Sequence, residues 1–303
     1  MVNTYAQLLF PDFLLIICGF LVCRYTALDR RVWGAVESLV YYFLFPVLLF
    51  YSIVKNPLDL VAASGLITAG LLTGLVGIAL AYSVPYWPWL GSKIDRRTHA
   101  ASAQVAFRFN SFIALALAER LAGSEGLQLV AVLIGVCVPL FNVAAVWPMA
   151  RHAGNSVLRE LVRNPLILST AGGLLANVLG FSFFPWVEPA VSRIGAASLA
   201  LGLLAAGAGL QLGSLKQAKS LAIVLLTVRH LASPLVAWGL ANLLGLSAVQ
   251  TTVLLAFSAL PTASTCYVLA TRMGYDGAYV SSLVTLSTLL GVFSLAFALG
   301  VLR

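Results

Sequence analysis

Two short stretches of this chain contain polar residues of types that can bind small anions. The first, at 107–111, contains Arg108, Asn110 and Ser111 within an otherwise apolar segment. A guanidinium holds a carboxylate through two parallel hydrogen bonds. Asn and Ser are good N-caps for a helix whose first N–H groups have no partner. We therefore predict a half-helix that starts near Ser111 and binds an anion at its positive end.

The second stretch, at 258–262, contains Pro261 and Thr262. Proline interrupts one helix and suits the first turn of the next, so a second half-helix is expected from about Thr262. The glycines and the acid that follow each break keep one offset of 151 residues: Gly123, Glu125 and Gly126 against Gly274, Asp276 and Gly277. A repeated break predicts one transport site made by two similar halves. The alternative is a simple kink at Pro261 and an interhelical hydrogen bond at Asn110.

Four further residues could take part. Asn142 either contacts substrate or joins two helices by a hydrogen bond. Arg108 itself either contacts substrate or pairs with carbonyls that the break frees. Pro234 frees a carbonyl one turn earlier, so we assign Arg229 and His230 a structural or gating role in preference to substrate contact. His230 could also couple protons, because histidine titrates near neutral pH.

The elements that position these residues are membrane-spanning helices. Apolar residues make up 61 % of the chain and charged residues only 9 %, against about 25 % charged in soluble domains. Since a span needs about 20 apolar residues, we predict an all-α membrane protein with ten spans, of which the fourth and ninth are broken. The spans are 5–23, 33–54, 60–82, 99–121, 127–149, 164–184, 193–213, 219–241, 250–272 and 277–301.

Lys and Arg are distributed unevenly between the loops. The loops after the odd-numbered spans carry 12 of the 18 basic residues, and the opposite side carries 4. The positive-inside rule places the first side in the cytoplasm and both termini outside. Because each half, 1–150 and 151–303, has five spans, the two halves must insert with opposite orientation. This is the inverted repeat of secondary carriers.

Other function classes lack their sequence signals. The chain has no HExxH, GxSxG or P-loop motif, so we expect no enzyme activity. Its four cysteines lack metal-ligand spacing, and no basic tail suits nucleic acid. We therefore expect neither a cofactor nor a metal, and no nucleic-acid partner.

The chain resembles the auxin efflux carrier family, whose bacterial members include malonate and malate permeases. The resemblance is carried by 44–50 with Pro46, by 164–167, by Arg229 with Pro234, and by 260–263. It implies that the broken helices cross at a midplane substrate site. It also implies an elevator-type motion of spans 3–5 and 8–10 against a scaffold of spans 1, 2, 6 and 7, and a homodimer formed through that scaffold.

The chain departs from the plant members of this family at three positions. They have proline at both breaks, whereas Asn110 stands at the first break here. Leu49 replaces a serine of their motif, and Arg108 is not part of their pattern. Asn142 is similar to an asparagine that they use for substrate. These departures disfavour auxin itself and favour a small carboxylate.

We therefore expect a secondary transporter of a small mono- or dicarboxylate, surrounded by lipid in a cell inner membrane. The residues expected to bind substrate are Arg108, Asn110, Ser111, Asn142, Pro261, Thr262 and Ser264, and those with a structural or gating role are Pro46, Arg229, His230 and Pro234. One alternative is a sodium-coupled symporter similar to the bile acid transporters, which share the inverted-repeat plan. A less favoured one is a membrane enzyme or a sensor that binds without transporting.

Overall fold

The computed structural model of the chain describes residues 2–55, 63–153, 163, 165–210, 218–263 and 265–303. These residues form helices joined by short turns, and no β-strand occurs among them. The helices are α1 (Val2–Tyr25), α2 (Arg30–Lys55), α3 (Ser64–Ser83), α4 (Arg96–Ser102), α5 (111–121), α6 (124–153), α7 (Pro165–Val178), α8 (Glu188–Ala208), α9 (Lys219–Leu243), α10 (Ala248–Ala259), α11 (Thr265–Arg272) and α12 (Gly277–Leu302).

Five helices of the described chain, α2, α3, α6, α9 and α12, are long and apolar enough to cross a membrane. The predicted spans 99–121 and 250–272 each correspond to two shorter helices, α4 with α5 and α10 with α11. Each pair is separated by a short non-helical segment, 107–110 in the first and 260–263 in the described part of the second. We name these segments the first break and the second break.

Two predicted boundaries were wrong. The sixth span was expected to reach residue 184 and the seventh to begin at 193, but α7 ends at Val178 and α8 begins at Glu188. Gly180 adopts a φ of 68°, a left-handed conformation that ends helices and that glycine adopts without strain. The following helix starts early because a proline occupies its first turn, where a missing N–H costs nothing.

The helices pack in two groups. In the first group, α1 and α2 both pack on α8, and α2 also packs on α7. In the second group, α3 and α10 pack against each other, against α9 and against the segment 111–153 that contains α5 and α6, while α12 packs on α10 and α11. Side chains of Ile53 in α2 and Leu174 in α7 lie beside Gly135 of α6, so α6 lies at the boundary between the groups.

Backbones cross closely within the first group. A Cβ atom on Gly19 of α1 would lie 1.9 Å from the Leu204 carbonyl oxygen of α8. Similarly, a Cβ on Gly207 would lie 1.8 Å from the carbonyl oxygen of Ile16. Small residues permit such close approach, which is how helices associate in a membrane without a hydrophobic driving force between them.

The prolines inside α2 and α9 follow wide helical turns. In α2 the π turn Val40–Leu44 precedes Pro46, and in α9 the π turn Val228–Ala232 precedes Pro234. Proline lacks an N–H and crowds the preceding turn, and a single π turn accommodates the displaced carbonyls. In α9, Ser233 Oγ donates to the Val228 carbonyl at 2.9 Å.

The repeat offset of 151 residues has a counterpart in backbone conformation. Gly123 has a φ of 59° and Gly274 a φ of 77°, and each follows the half-helix beyond a break. A positive φ is strained for residues with a Cβ. A glycine with a positive φ therefore follows each half-helix, between α5 and α6 and between α11 and α12.

Candidate functional site

The two breaks lie against each other and share hydrogen bonds. The Asn110 backbone N–H donates to the Pro261 carbonyl at 2.8 Å. In the other direction, Thr262 Oγ1 donates to the Val105 carbonyl at 2.7 Å. Each break therefore satisfies polar backbone groups that the other leaves without a helical partner.

Capping and aromatic packing fix the first break. Asn110 Oδ1 accepts from the Ile113 N–H at 3.2 Å, so Asn110 caps α5, which starts at Ser111 as the residue types predict. The rings on either side of Arg108 pack into the neighbouring helices. Phe109 lies 4.5 Å from the ring of Phe257 in α10, measured between centroids, and the Phe107 ring lies 5.9 Å from that of Phe141 in α6.

Side chains from neighbouring helices satisfy the carbonyls of the second break. Pro261 has no N–H, so the Phe257 carbonyl four residues earlier has no helical donor. Arg229 supplies one, since its Nη2 donates to Phe257 O at 3.2 Å and its Nε to Leu260 O at 2.7 Å. Ser294 Oγ donates to the carbonyl of Ala259 at 2.8 Å. The C-terminal end of α10 is thus held by α9 and α12.

The second half-helix begins later than predicted. It was expected from about Thr262, but α11 starts at Thr265. The Thr262 N–H donates to Ser287 Oγ at 2.8 Å instead of pointing to a free helix end. The extended backbone of Leu260, with a ψ of 148°, and the side-chain partners of Thr262 explain the delay.

Arg108 is a buried cation held by neutral acceptors. It is 5 % exposed. Its Nη1 donates to Gln104 Oε1 at 2.8 Å, and its Nη2 donates to Asn142 Oδ1 at 3.0 Å and to Thr265 Oγ1 at 3.1 Å. No acidic side chain of the described residues pairs with it. The guanidinium therefore keeps an uncompensated charge at a depth where charge is costly.

Asn142 has an unused donor at the same place. It is 1 % exposed, and its Nδ2 has no hydrogen-bond partner within the described structure. A buried polar group without a partner costs about 1–3 kcal/mol, so the amide is poised for a ligand. A cavity of about 30 Å³ lies beside it, with room for one or two water molecules. Its walls are Phe45, Arg108, Phe109, Asn110, Ser111, Val138, Phe141, Asn142, Ala263 and Thr265.

The two buried arginines face opposite ends of helices. Arg229 bonds carbonyls at the C-terminal end of α10, where the helix dipole is negative and a cation is stabilised. Arg108 contacts Thr265, the first residue of α11, and stands three residues before the start of α5. These are positive ends, so they add to its charge and favour an anion.

Not all of the residues expected to bind substrate reach the cavity. Arg108, Asn110, Ser111 and Asn142 line it. Thr262 is 1 % exposed and binds backbone and Ser287 instead, while Pro261 contributes its carbonyl to the first break. Ser264 lies outside the described residues.

The residues expected to have a structural role surround this centre. Pro46 follows Phe45, a wall residue from the first helix group. Arg229 and His230 lie in the π turn of α9 that precedes Pro234. Among the described residues no three His, Cys, Asp or Glu side chains lie close enough to share a metal ion.

Four polar residues at the breaks were not predicted from the sequence. Gln104 lies one helical turn before Arg108, a spacing that could have been noticed. Thr265 and the serines 287 and 294 of α12 contact the breaks only through tertiary packing. Ser and Thr are ordinary residues in membrane helices, so no sequence signal distinguishes these three.

The chain is similar to a known protein family. A family model described as "Membrane transport protein" matches residues 92–299, which include both breaks. A search of curated proteins gave no significant match.

Proposed function

Since the chain belongs to the membrane transport protein family, which includes the auxin efflux carriers, and is a multi-pass membrane protein, we propose that it is a secondary transporter of a small organic anion. The proposed substrate is a mono- or dicarboxylate of about the size of malonate or malate. The proposed location is an inner membrane, with both termini outside.

One observation carries the proposal: Arg108 is buried between two helix N-termini, and no acid of the described residues pairs with it. Ionisable residues within membrane spans are rare and commonly mark substrate or ion pathways, and Arg108, unlike Arg229, donates to no backbone carbonyl that lacks a helical partner. A carboxylate would accept from the guanidinium in place of Asn142 and Thr265, whose oxygens now receive those hydrogen bonds. The free Nδ2 of Asn142 would donate to the same anion.

The shape of the cavity limits the substrate to a small molecule. Aromatic rings of Phe45, Phe109 and Phe141 surround the polar groups, so an ion stripped of water contacts apolar walls on its other sides. With one guanidinium present, one carboxylate is held strongly, and Ser111 remains for a second polar group. A volume of about 30 Å³ is too small for a dicarboxylate, so binding requires the walls to separate.

The packing suggests which parts separate. Phe45 belongs to the first helix group, α1, α2, α7 and α8, and the other wall residues lie on α6 and at the breaks. We propose that the first group is the scaffold, which also forms a homodimer, and that the rest of the protein moves as the transport domain of an elevator. The matched glycines at 123 and 274 support ten spans in two inverted halves.

Uptake of radiolabelled malonate and acetate into proteoliposomes tests the function. Arg108→Ala should abolish uptake while the protein still folds. Arg193→Ala, which removes an exposed arginine of α8, is the matched control and should transport normally. Normal uptake by Arg108→Ala would show that Arg108 does not bind the substrate.

Two further arms distinguish the alternatives. Replacing sodium by choline at constant pH should leave uptake unchanged, and a requirement for sodium would favour the symporter similar to bile acid transporters. Recovery of chemically unchanged substrate from the vesicles, together with counterflow, is expected of a carrier. A changed product, or binding without counterflow, would favour a membrane enzyme or a sensor.

A further inference from the structure

A chain of hydrogen-bonded side chains connects His230 with the second break. His230 lies in the π turn of α9 and is partly buried. Its Nε2 lies 2.8 Å from Ser287 Oγ, and its Nδ1 lies 2.9 Å from Ser294 Oγ, both on α12. These serines contact Thr262 and Ala259 in turn. The imidazole is therefore connected to the second break by two separate chains of hydrogen bonds, one through Ser287 and one through Ser294.

The hydrogen bonds of Ser287 show which nitrogen of the His230 imidazole carries a proton. Thr262 Oγ1 donates to the Val105 carbonyl, because a carbonyl oxygen can only accept. Ser287 Oγ therefore donates its proton to Thr262 Oγ1, at 2.9 Å, and accepts from the Thr262 N–H, at 2.8 Å. Its remaining lone pair accepts from His230, so Nε2 carries a proton.

The partners of Ser294 distinguish the neutral imidazole from the charged one. In the neutral ring with a proton on Nε2, Nδ1 is an acceptor. The single hydroxyl proton of Ser294 then serves either Nδ1 or the Ala259 carbonyl, and the other loses its donor. When Nδ1 is protonated, it donates to Ser294 Oγ, and Ser294 donates to the carbonyl. Only the charged ring satisfies both contacts.

We propose that His230 is a proton-binding site coupled to the anion site through the second break, so that a proton and a carboxylate are carried together. The inference rests on the proposed anion transport. Protonation of Nδ1 leaves Ser294 free to donate to the Ala259 carbonyl, while Nε2 keeps its bond to Ser287 and, through it, to Thr262. Thr262 follows Pro261, whose carbonyl accepts from Asn110 at the edge of the cavity. Carrying both ions also reduces the charge that crosses the membrane.

The surrounding charges determine the sign of the coupling. Arg229 precedes His230 and opposes a second positive charge, while the carbonyl end of α10 favours one. The elements that make the main contacts with the π turn are α3, the 3₁₀ helix Ala103–Ala106 that follows α4, α10 and α12. They carry no Asp, Glu, Lys, Arg or His, and their titratable side chains are Tyr82 and Tyr279. A bound anion supplies the missing negative charge, so anion and proton strengthen each other's binding.

Isothermal calorimetry of malonate binding to the purified full chain tests the coupling. Between about pH 6.5 and pH 8.5 most of the malonate is the dianion, and the comparison with His230→Gln below separates titration of the protein from that of the ligand. We expect affinity to fall by up to about tenfold per pH unit, with about one proton taken up per malonate. Proton uptake is read from the dependence of the binding heat on the ionisation enthalpy of the buffer.

Two glutamine variants isolate His230. In His230→Gln the amide can still donate to Ser287 but cannot take up a proton, so affinity should vary by less than about twofold over this range. The matched control is His99→Gln, because His99 is also buried but bonds the Ala81 carbonyl. His99→Gln should keep the full pH dependence.

If His230→Gln keeps the pH dependence and proton uptake of the unaltered protein, the proton site is overturned. Should His230→Gln not fold, Ser294→Ala takes its place, and it too should lose the pH dependence of malonate affinity and the proton uptake. Failure of malonate, malate and acetate to bind at any pH would refute the proposed function instead. The ligand-free protein then decides: a melting-temperature difference from His230→Gln that changes with pH supports a titrating site at His230, and a constant difference overturns it.

Discussion

Removing the guanidinium of Arg229 should destabilise the protein more than removing that of Arg108. Arg229→Met keeps the length and the apolar volume of the side chain but leaves the carbonyls of Phe257 and Leu260 without donors. Hydrogen bonds to charged groups contribute about 1.5–3 kcal/mol each, which gives about 3–6 kcal/mol for the pair. Because methionine also removes a buried charge, we expect the lower value, about 3 kcal/mol.

Two further variants define the comparison. In Arg229→Lys the ammonium lacks the planar fork that reaches both carbonyls with good geometry, so the expected loss is about half, near 1.5 kcal/mol. Arg108→Met removes a cation whose acceptors are side-chain oxygens of Gln104, Asn142 and Thr265. Those side chains can rotate to other partners, and a buried unpaired charge disappears, so the expected loss is below about 1 kcal/mol.

Thermal unfolding in detergent, followed by tryptophan fluorescence, measures these differences. At about 2 °C per kcal/mol, Arg229→Met should melt about 6 °C lower, Arg229→Lys about 3 °C lower, and Arg108→Met within about 2 °C of the unaltered protein. Carboxylate binding should show the reverse order, with Arg108→Met losing the most. The reasoning is refuted if Arg108→Met melts as low as Arg229→Met, or if Arg229→Met is stable but no longer binds carboxylate.

Three other substitutions probe the packing around the site. Gly291→Ala places a Cβ 2.5 Å from the proline ring of the second break, so stability should fall by about 1–3 kcal/mol together with malonate affinity, as calorimetry would show. Gly207→Ala, whose Cβ would collide with the Ile16 carbonyl, should lower the melting temperature and leave the malonate affinity of the folded fraction unchanged. Arg272→Gln removes a cation that lies 4.3 Å from the Tyr42 ring centroid, a contact between α2 and α11 worth about 1 kcal/mol. If that contact must break during transport, counterflow should be up to about fivefold faster, whereas an unchanged rate would mean that it stays intact.

The sequence was sufficient to predict the helical membrane class and the places where helices break. Apolar composition requires spanning helices, and within them Asn110 and Pro261 are costly unless the backbone is interrupted. The offset of 151 residues was a useful guide, because Gly123 and Gly274 share a positive φ. Local chemistry therefore determines these features, and local chemistry can be read from a sequence.

The contacts that complete the site could not be predicted in this way. Thr265 and Ser287 reach the breaks because α11 and α12 pack beside α4 and α9. The sequence does not show which partner a hydroxyl residue in an apolar helix will bond. The early start of α8 was missed as well, since the apolar pattern extends on both sides of the turn after Gly180 and does not mark where the helix resumes. These features depend on tertiary packing.

The difference between the two breaks explains why one chain carries two buried arginines in different surroundings. At the sequence offset of 151 residues, Arg108 corresponds to Ala259 and Arg229 corresponds to Ile78, so neither arginine has a counterpart at the other break. The second break contains a proline, which removes a backbone donor and leaves carbonyls that need Arg229. The first break contains Asn110, which retains its N–H and uses it to reach the proline carbonyl. The first break therefore needs no structural cation, which is consistent with the anion-binding role proposed for Arg108.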